Sequence, residues 1–390
     1  MTDRFDQMVD RRGTGCMKWD VKDGELPMWV ADMDFQTAPE IIEMIQKRAQ
    51  HGIFGYTQIT EEWYRAYQNW WKTRHDFEIQ EEWLIFCTGV VPAISSIVRK
   101  MTTPAEKVVV LTPVYNIFFN SILNNGRNPL ESELEYKDGI YSINWQDLEE
   151  KLADPQTTLM ILCNPHNPIG KIWDKETLEK IGDLCVKHQV LVLSDEIHCD
   201  LTKPGRNYVP FASVSENCKN NSITCIAPTK TFNIAGIQTA AVVIPNPVIR
   251  HKVNRGLNTD EVAEPNVFAA IAPVAAFEKG GAWLEELKEY LWNNRMLAEE
   301  FIGREIPEIH AVKGEATYLL WLDCTRISRP DTDLCTFIRE NSGLYLSEGR
   351  EYHHGDGFLR MNLACPKERV IDGLNRLKKS IHTYQEQLKQ

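Results

Sequence analysis

The residues of this chain able to do chemistry gather where its apolar runs end. SITCIAP (222–228) leads into Thr229-Lys230, and VLVLS (190–194) into Asp195-Glu196-Ile197-His198. TTLMILC (157–163) is followed by Asn164-Pro165-His166-Asn167-Pro168, KVVVLTP (107–113) by Val114-Tyr115, and WLIFC (83–87) by Thr88-Gly89-Val90-Val91. A lysine can serve as a nucleophilic amine and as a base, which an arginine, always charged, cannot. An acid directly after a buried strand can hold a cation, and a glycine turn opening a helix offers free N–H groups and the positive dipole end to an anion. Each feature alone has an ordinary reading: a solvated lysine, turn-forming Asn-Pro steps, a packed tyrosine. No G-x-x-x-x-G-K-[ST] and no helix-opening G-x-G-x-x-G is present, so the nucleotide-binding motifs are missing. The Asp-Glu-x-His-Cys run has no second ligand cluster at suitable spacing, and no metal is expected.

These ends matter only if the fold brings them together. The runs, with TAAVVIP (239–245), read as short strands buried on both faces. Helical patterns such as VPAISSIVRK and KETLEKIGDLCVKH lie between them, which predicts an α/β fold with a mainly parallel sheet covered by helices on both sides. Ligands of such sheets bind beyond the carboxyl ends of the strands, where these polar residues stand. TAPEIIEMIQKRAQ opens with Thr37-x-x-Glu40, the pattern of a capping box, and predicts a helix from there. After AAFEKGG, AWLEELKEYLWNNRMLAEEFIGRE reads as one long amphipathic helix. ATYLLWLDC (316–324), LYLSEG (344–349) and GFLRMNLAC (357–365) then predict strands. The expected division is a large domain, 49–281, and a smaller α+β domain made of 1–48 and 282–390.

Bulk properties narrow the partners. A chain of 390 residues, 43% hydrophobic, can build more than one core. Its net charge of −12, from 43 basic and 55 acidic residues, argues against nucleic acid or an anionic membrane as its partner. An anionic ligand must therefore be held by a few placed donors. No signal-type amino terminus and no apolar run of about 18 residues is seen, and a cytoplasmic location is expected. The 10 cysteines are scattered without a C-x-x-C pair, which predicts reduced, mostly buried thiols.

Taken together, the strand ends match the needs of pyridoxal phosphate. Its aldehyde requires an amine, its ring nitrogen a carboxylate that keeps it protonated, its phosphate N–H donors, and its ring a flat neighbour. The motifs WVADMDF (29–35), GYT (55–57), TGVVPAI (88–94), CNPHNPIGKIW (163–173), SDEIHCDL (194–201), TKTFNIAG (229–236) and FLRMNLACP (358–366) resemble the aspartate-aminotransferase-like, fold type I pyridoxal-phosphate enzymes. Within them the chain is similar to the MalY/PatB branch of cystathionine β-lyases and cysteine–sulfur lyases. That resemblance implies that Lys230 binds the cofactor covalently and moves the substrate proton. It implies Asp195 at the ring nitrogen, Asn167 and His198 near the phenolic oxygen, and Tyr115 against the ring. Gly89, Val90, Val91 and Thr229 surround the phosphate, Arg360 grips the substrate carboxylate, and Asn167 and Ala31 border the substrate. Tyr56 reaches into a neighbouring subunit, so a homodimer with shared sites is implied.

The chain departs from the wider family at three places. Thr229 stands where many relatives have serine, and Gln238 where many aminotransferases have a phosphate-binding arginine. Asn116 stands where some lyases carry a second tyrosine. Phosphate neutralisation then rests more on backbone, helix dipole and Tyr56. The implied reaction is α,β-elimination on cystathionine, cysteine or other cysteine S-conjugates. The competing enzyme reading is transamination, which shares the early steps. A regulatory, protein-binding role on the same fold is the alternative of another class, although the segment before residue 37 is too short for a winged-helix module.

Overall fold

The computed structural model describes residues 4–329 and 333–388. At its centre is a seven-stranded sheet in the order Leu84–Cys87, Ala240–Val243, Ser222–Ile226, Leu191–Asp195, Thr157–Cys163, Lys107–Thr112, Asn128–Glu133. Neighbours run parallel, except that Ala240–Val243 is antiparallel to both strands beside it. Leu191–Asp195 and Ser222–Ile226 are buried along their whole length, as continuous apolar runs require when helices cover both faces. Successive residues of Lys107–Thr112 alternate between two cores, Val108 and Val110 on one side, Val109 and Leu111 on the other. The first core is shared with Ala93, Ile94, Ile97 and Val98 of the helix Val90–Met101, the second with Leu178, Ile181 and Cys185 of Lys175–Lys187.

Two local expectations need correction. The edge strand Asn128–Glu133 was not among the apolar runs, because NPLESE pairs on one side only and tolerates polar residues and a proline. The helix near residue 37 forms as Pro39–Gln50, but without a capping box: Ala38 occupies the cap position, and no side chain caps the helix. Thr37 Oγ1 and Glu40 Oε2 are both buried without a hydrogen bond. With Pro39 in the first turn the helix starts one residue later than the pattern assumes, so the threonine falls outside the cap.

The helix Gly281–Glu305 links two cores. Its first half buries Trp283, Leu284 and Leu287 with the aromatic cluster of Trp63, Tyr67, Trp71 and Phe277. Its second half places Ala298 and Ile302 against a four-stranded antiparallel sheet in the order His310–Ala311, Leu319–Asp323, Phe358–Asn362, Ser347–Glu348. Among the described residues no single helix is long and apolar enough to cross a membrane. All ten cysteines are free, and all but Cys16 are buried.

Candidate active site

A cavity of about 270 Å³ lies at the carboxyl ends of the large sheet. Gly89, Val90 and Val91 form one wall and Tyr115 another, with Asn167, Asp195, His198, Thr229, Lys230 and Ala31 around them. Arg360, in the middle of the strand Phe358–Asn362, arrives from the smaller sheet. Its Nη1 donates to Asn167 Oδ1 at 3.2 Å and its Nη2 to the Trp29 carbonyl at 2.8 Å. Residues read from six separate motifs are thus assembled at one place. Tyr56 is different: it is fully exposed, in the irregular segment before the helix Glu61–His75, and does not line this chain's cavity.

Each strand end aims its residue by local bonding. Leu191–Asp195 stops where the Ile197 N–H turns back onto Asp195 Oδ1 at 3.1 Å. Lys230 sits in the one-turn helix Pro228–Thr231, whose Thr231 hydroxyl donates to the buried Asp200 carboxylate at 3.0 Å. Asp200 also accepts from Trp70 Nε1 and His75 Nε2, so a polar knot behind the lysine anchors its turn. At the glycine turn, a side chain in place of Gly89 would bring its Cβ to 3.1 Å from the Pro92 ring, tighter than ordinary packing, ahead of the helix amino terminus.

The electrostatics of the cavity follow from burial. Asp195 is buried, and that desolvation pushes its carboxyl up to about 7 despite the Ile197 N–H and the nearby Lys230. Lys230 is pushed down to about 8, first by burial and then by the Arg360 charge, while Asp32 and Asp195 pull the other way. Burial, with Lys230 and Arg360, drives His198 down to about 3, so its imidazole is neutral, and its Nδ1 has no partner. Burial and the Asp195 charge raise Tyr115 to about 12, which keeps the phenol protonated. Arg360 is buried, its Nε makes no hydrogen bond, and it forms no ion pair among the described residues.

An isolated buried cation and an isolated buried carboxylate are costly unless something else completes them. Pyridoxal phosphate fits this set. Its protonated ring nitrogen would answer Asp195, its aldehyde Lys230, and its phosphate the N–H groups after Gly89; an amino acid's carboxylate would answer Arg360. Gln238, where many family members carry arginine, also lines the cavity and brings no charge.

Sequence reasoning missed several residues that shape the site. The stretch Trp29–Phe35 has no regular structure, yet its carbonyls are taken up from distant segments. Arg360 and Ser347 hold Trp29, and Asn362 holds Val30 and Asp32. Asn233, with φ of 53°, holds Met33 and Phe35. An asparagine in a short polar motif, able to adopt left-handed backbone, was the one available signal. Tyr318 and Ser347 lie at strand edges with no pattern to mark them.

Comparison with known proteins identifies the family. Residues 26–377 match the family model for aminotransferase class I and II. The chain is 43% identical to cystathionine β-lyase PatB of Bacillus subtilis, over 97% of this chain and 99% of that protein. It is 32% identical to protein MalY of Escherichia coli, over 95% and 96% of the two chains. The crystal structure of cystalysin from Treponema denticola, which contains pyridoxal 5′-phosphate, superposes with a TM-score of 0.95 at 34% identity, covering 98% of this chain and 100% of that one. By this family match and these two relatives, the chain belongs to the aminotransferase class I and II family, on the branch it shares with PatB and MalY.

Proposed function

We propose that this chain is a pyridoxal-phosphate-dependent carbon–sulfur β-lyase acting on cystathionine, cysteine or related cysteine S-conjugates. Water and the substrate give a thiol (or sulfide), pyruvate and ammonia. The observation that carries the reading is a lysine in the strand-end cavity near a buried arginine that forms no ion pair among the described residues. The similarity to PatB supports the carbon–sulfur bond as the one broken.

When bound, the cofactor supplies an aldehyde that captures the substrate amine and a cationic ring that withdraws electrons from Cα. Asp195 keeps that ring cationic, and Tyr115 and Asn167 border it. Arg360 holds the substrate α-carboxylate with two parallel N–H donors, and Ala31 closes the same side. That grip fixes which bond at Cα faces Lys230. The Lys230 amine then takes the α-proton at Nζ, and its pKa of about 8 leaves a useful neutral fraction near neutrality. The electron pair left on Cα expels the β-sulfur as a thiolate, a good leaving group.

The same reading assigns residues 49–281 to a cofactor-binding domain and 1–48 with 282–390 to a smaller domain that carries Arg360. It includes a cytoplasmic homodimer in which Tyr56 serves the partner's cofactor phosphate. The exposure of Ile53, Phe54 and Tyr56 in one short segment favours a covering second copy.

The deciding assay is incubation with cystathionine and no added keto acid. Pyruvate and ammonia in equal amounts are the expected products; conversion that requires a keto acid would replace elimination with transamination. Arg360→Lys is expected to lower kcat/KM by about 100-fold, mainly through KM, because an ammonium cannot reproduce the two-pronged grip. A KM within about threefold of the native value would remove Arg360 from the carboxylate site.

A further inference from the structure

The Ala31 carbonyl at the cavity wall accepts from two side chains. It receives the Lys230 amine at 2.5 Å and the Tyr318 hydroxyl at 2.9 Å. A carbonyl has two lone pairs, and here both are engaged, one by the reactive amine and one by a buried phenol. Tyr318 is 3% exposed and packs its ring edge-on to His198. The residue before it, Thr317, has φ of 66°, an uncommon conformation for a β-branched residue, and its N–H is tied to the Leu201 carbonyl at 2.7 Å. Strained backbone next to an aimed side chain is what a precisely placed group costs. The carbonyls on either side, Val30 and Asp32, are both held by Asn362, so the Ala31 oxygen has little freedom to swing away.

We propose that Tyr318 is a positioning residue for Lys230: by occupying one lone pair of the Ala31 carbonyl, it turns that oxygen into a fixed but weakened dock for the lysine amine. A dock is needed whenever the amine is not bonded to the cofactor, since a free lysine side chain has many rotamers and only some face the substrate. A weakened dock is needed because a strong acceptor would hold the amine as an ammonium, and an ammonium cannot take a proton. The other titratable groups facing the amine are Arg360, Asp32 and Asp195, and those facing the phenol are Asp32, Arg360 and the neutral Tyr115. Burial and Asp32 keep the Tyr318 phenol protonated, so it donates throughout the working range. The proposal rests on the lyase reading only for what Lys230 does with its proton; the docking itself is a property of the chain without cofactor.

The test is Tyr318→Phe, which keeps the ring and deletes the donor. In the full chain stripped of cofactor, trace acetylation across a pH series, read by mass spectrometry of the peptide holding Lys230, gives the midpoint of the amine. With its second lone pair unfilled, the Ala31 oxygen should bind the ammonium more tightly, and the midpoint should rise by roughly half to one pH unit. Replacing Tyr318 with a difluorotyrosine, a stronger donor, should move it down. In the loaded enzyme, Tyr318→Phe should lower kcat several-fold with KM little changed. An unchanged midpoint in Tyr318→Phe, whether or not its melting temperature falls, overturns the proposal and leaves Tyr318 a packing residue. If the native protein proves inactive on every sulfur substrate but the midpoint shifts as stated, the docking stands and the lyase reading falls.

Discussion

Lys230→Ala is expected to lower turnover by on the order of 10⁴-fold or more, the largest effect of any single change in this chain. Two jobs disappear with one amine. The cofactor loses its covalent attachment, and the neighbouring cavity groups are poor substitutes for taking the α-proton: His198 is neutral but far too weak a base at about 3, Tyr115 holds its proton to about 12, and Asp195 would be committed to the ring nitrogen. The check has two parts. Borohydride treatment of native protein should fix the cofactor's mass on the peptide containing Lys230, and the variant should show neither that label nor pyruvate formation. Turnover within about tenfold of native would mean that the base is elsewhere.

Asp195→Asn should act in opposite directions on the cofactor-free and the loaded protein. Without cofactor, burial sets the carboxyl at about 7, well above its value of about 3.9 in an unfolded chain. A group whose folded pKa is raised contributes most at low pH, below about 4, and that contribution is lost as pH rises through about 7. At pH near 8 the native side chain is therefore a buried anion with one N–H donor, whereas asparagine is neutral and of the same shape. The cofactor-free variant should then be more stable than native by roughly 2–4 kcal/mol near pH 8 and equal to it near pH 4. Calorimetric melting curves over that range measure the difference; a native protein as stable as the variant at the alkaline end would contradict it. With cofactor the sign reverses. The ring nitrogen loses the charge that keeps it cationic, and turnover should fall by about 10²–10³-fold.

Such opposed effects mark a residue kept for chemistry at the expense of the fold, and it is fitting that Asp195 could be found from sequence. A buried apolar strand has few reasons to end in an acid, and the parallel-sheet rule says where that end must lie. The same logic reached Lys230, Asn167, Tyr115 and the Gly89 turn, because each closes a strand whose apolar run is unmistakable. Arg360 was legible only through resemblance: it lies in the middle of a strand, on the smaller sheet, where periodicity says nothing of function. The stretch Trp29–Phe35 was read as a motif, but its role as a wall held by Asn233, Asn362, Arg360 and Tyr318 was not legible. The capping box at Thr37 failed for a smaller reason of the same kind, a one-residue shift in where the helix begins.

By itself, then, the sequence determined the alternation of strands and helices, the parallel sheet and the strand-end chemistry, because these depend on local periodicity and on a general rule of sheet topology. Tertiary structure alone decided that Arg360 has no anionic partner among the described residues, that Ala31 offers one oxygen to two donors, and that Asp195 and Lys230 are shifted toward each other's range. Those properties arise from desolvation and from contacts between residues more than a hundred positions apart, and neither leaves a trace in the local order of amino acids.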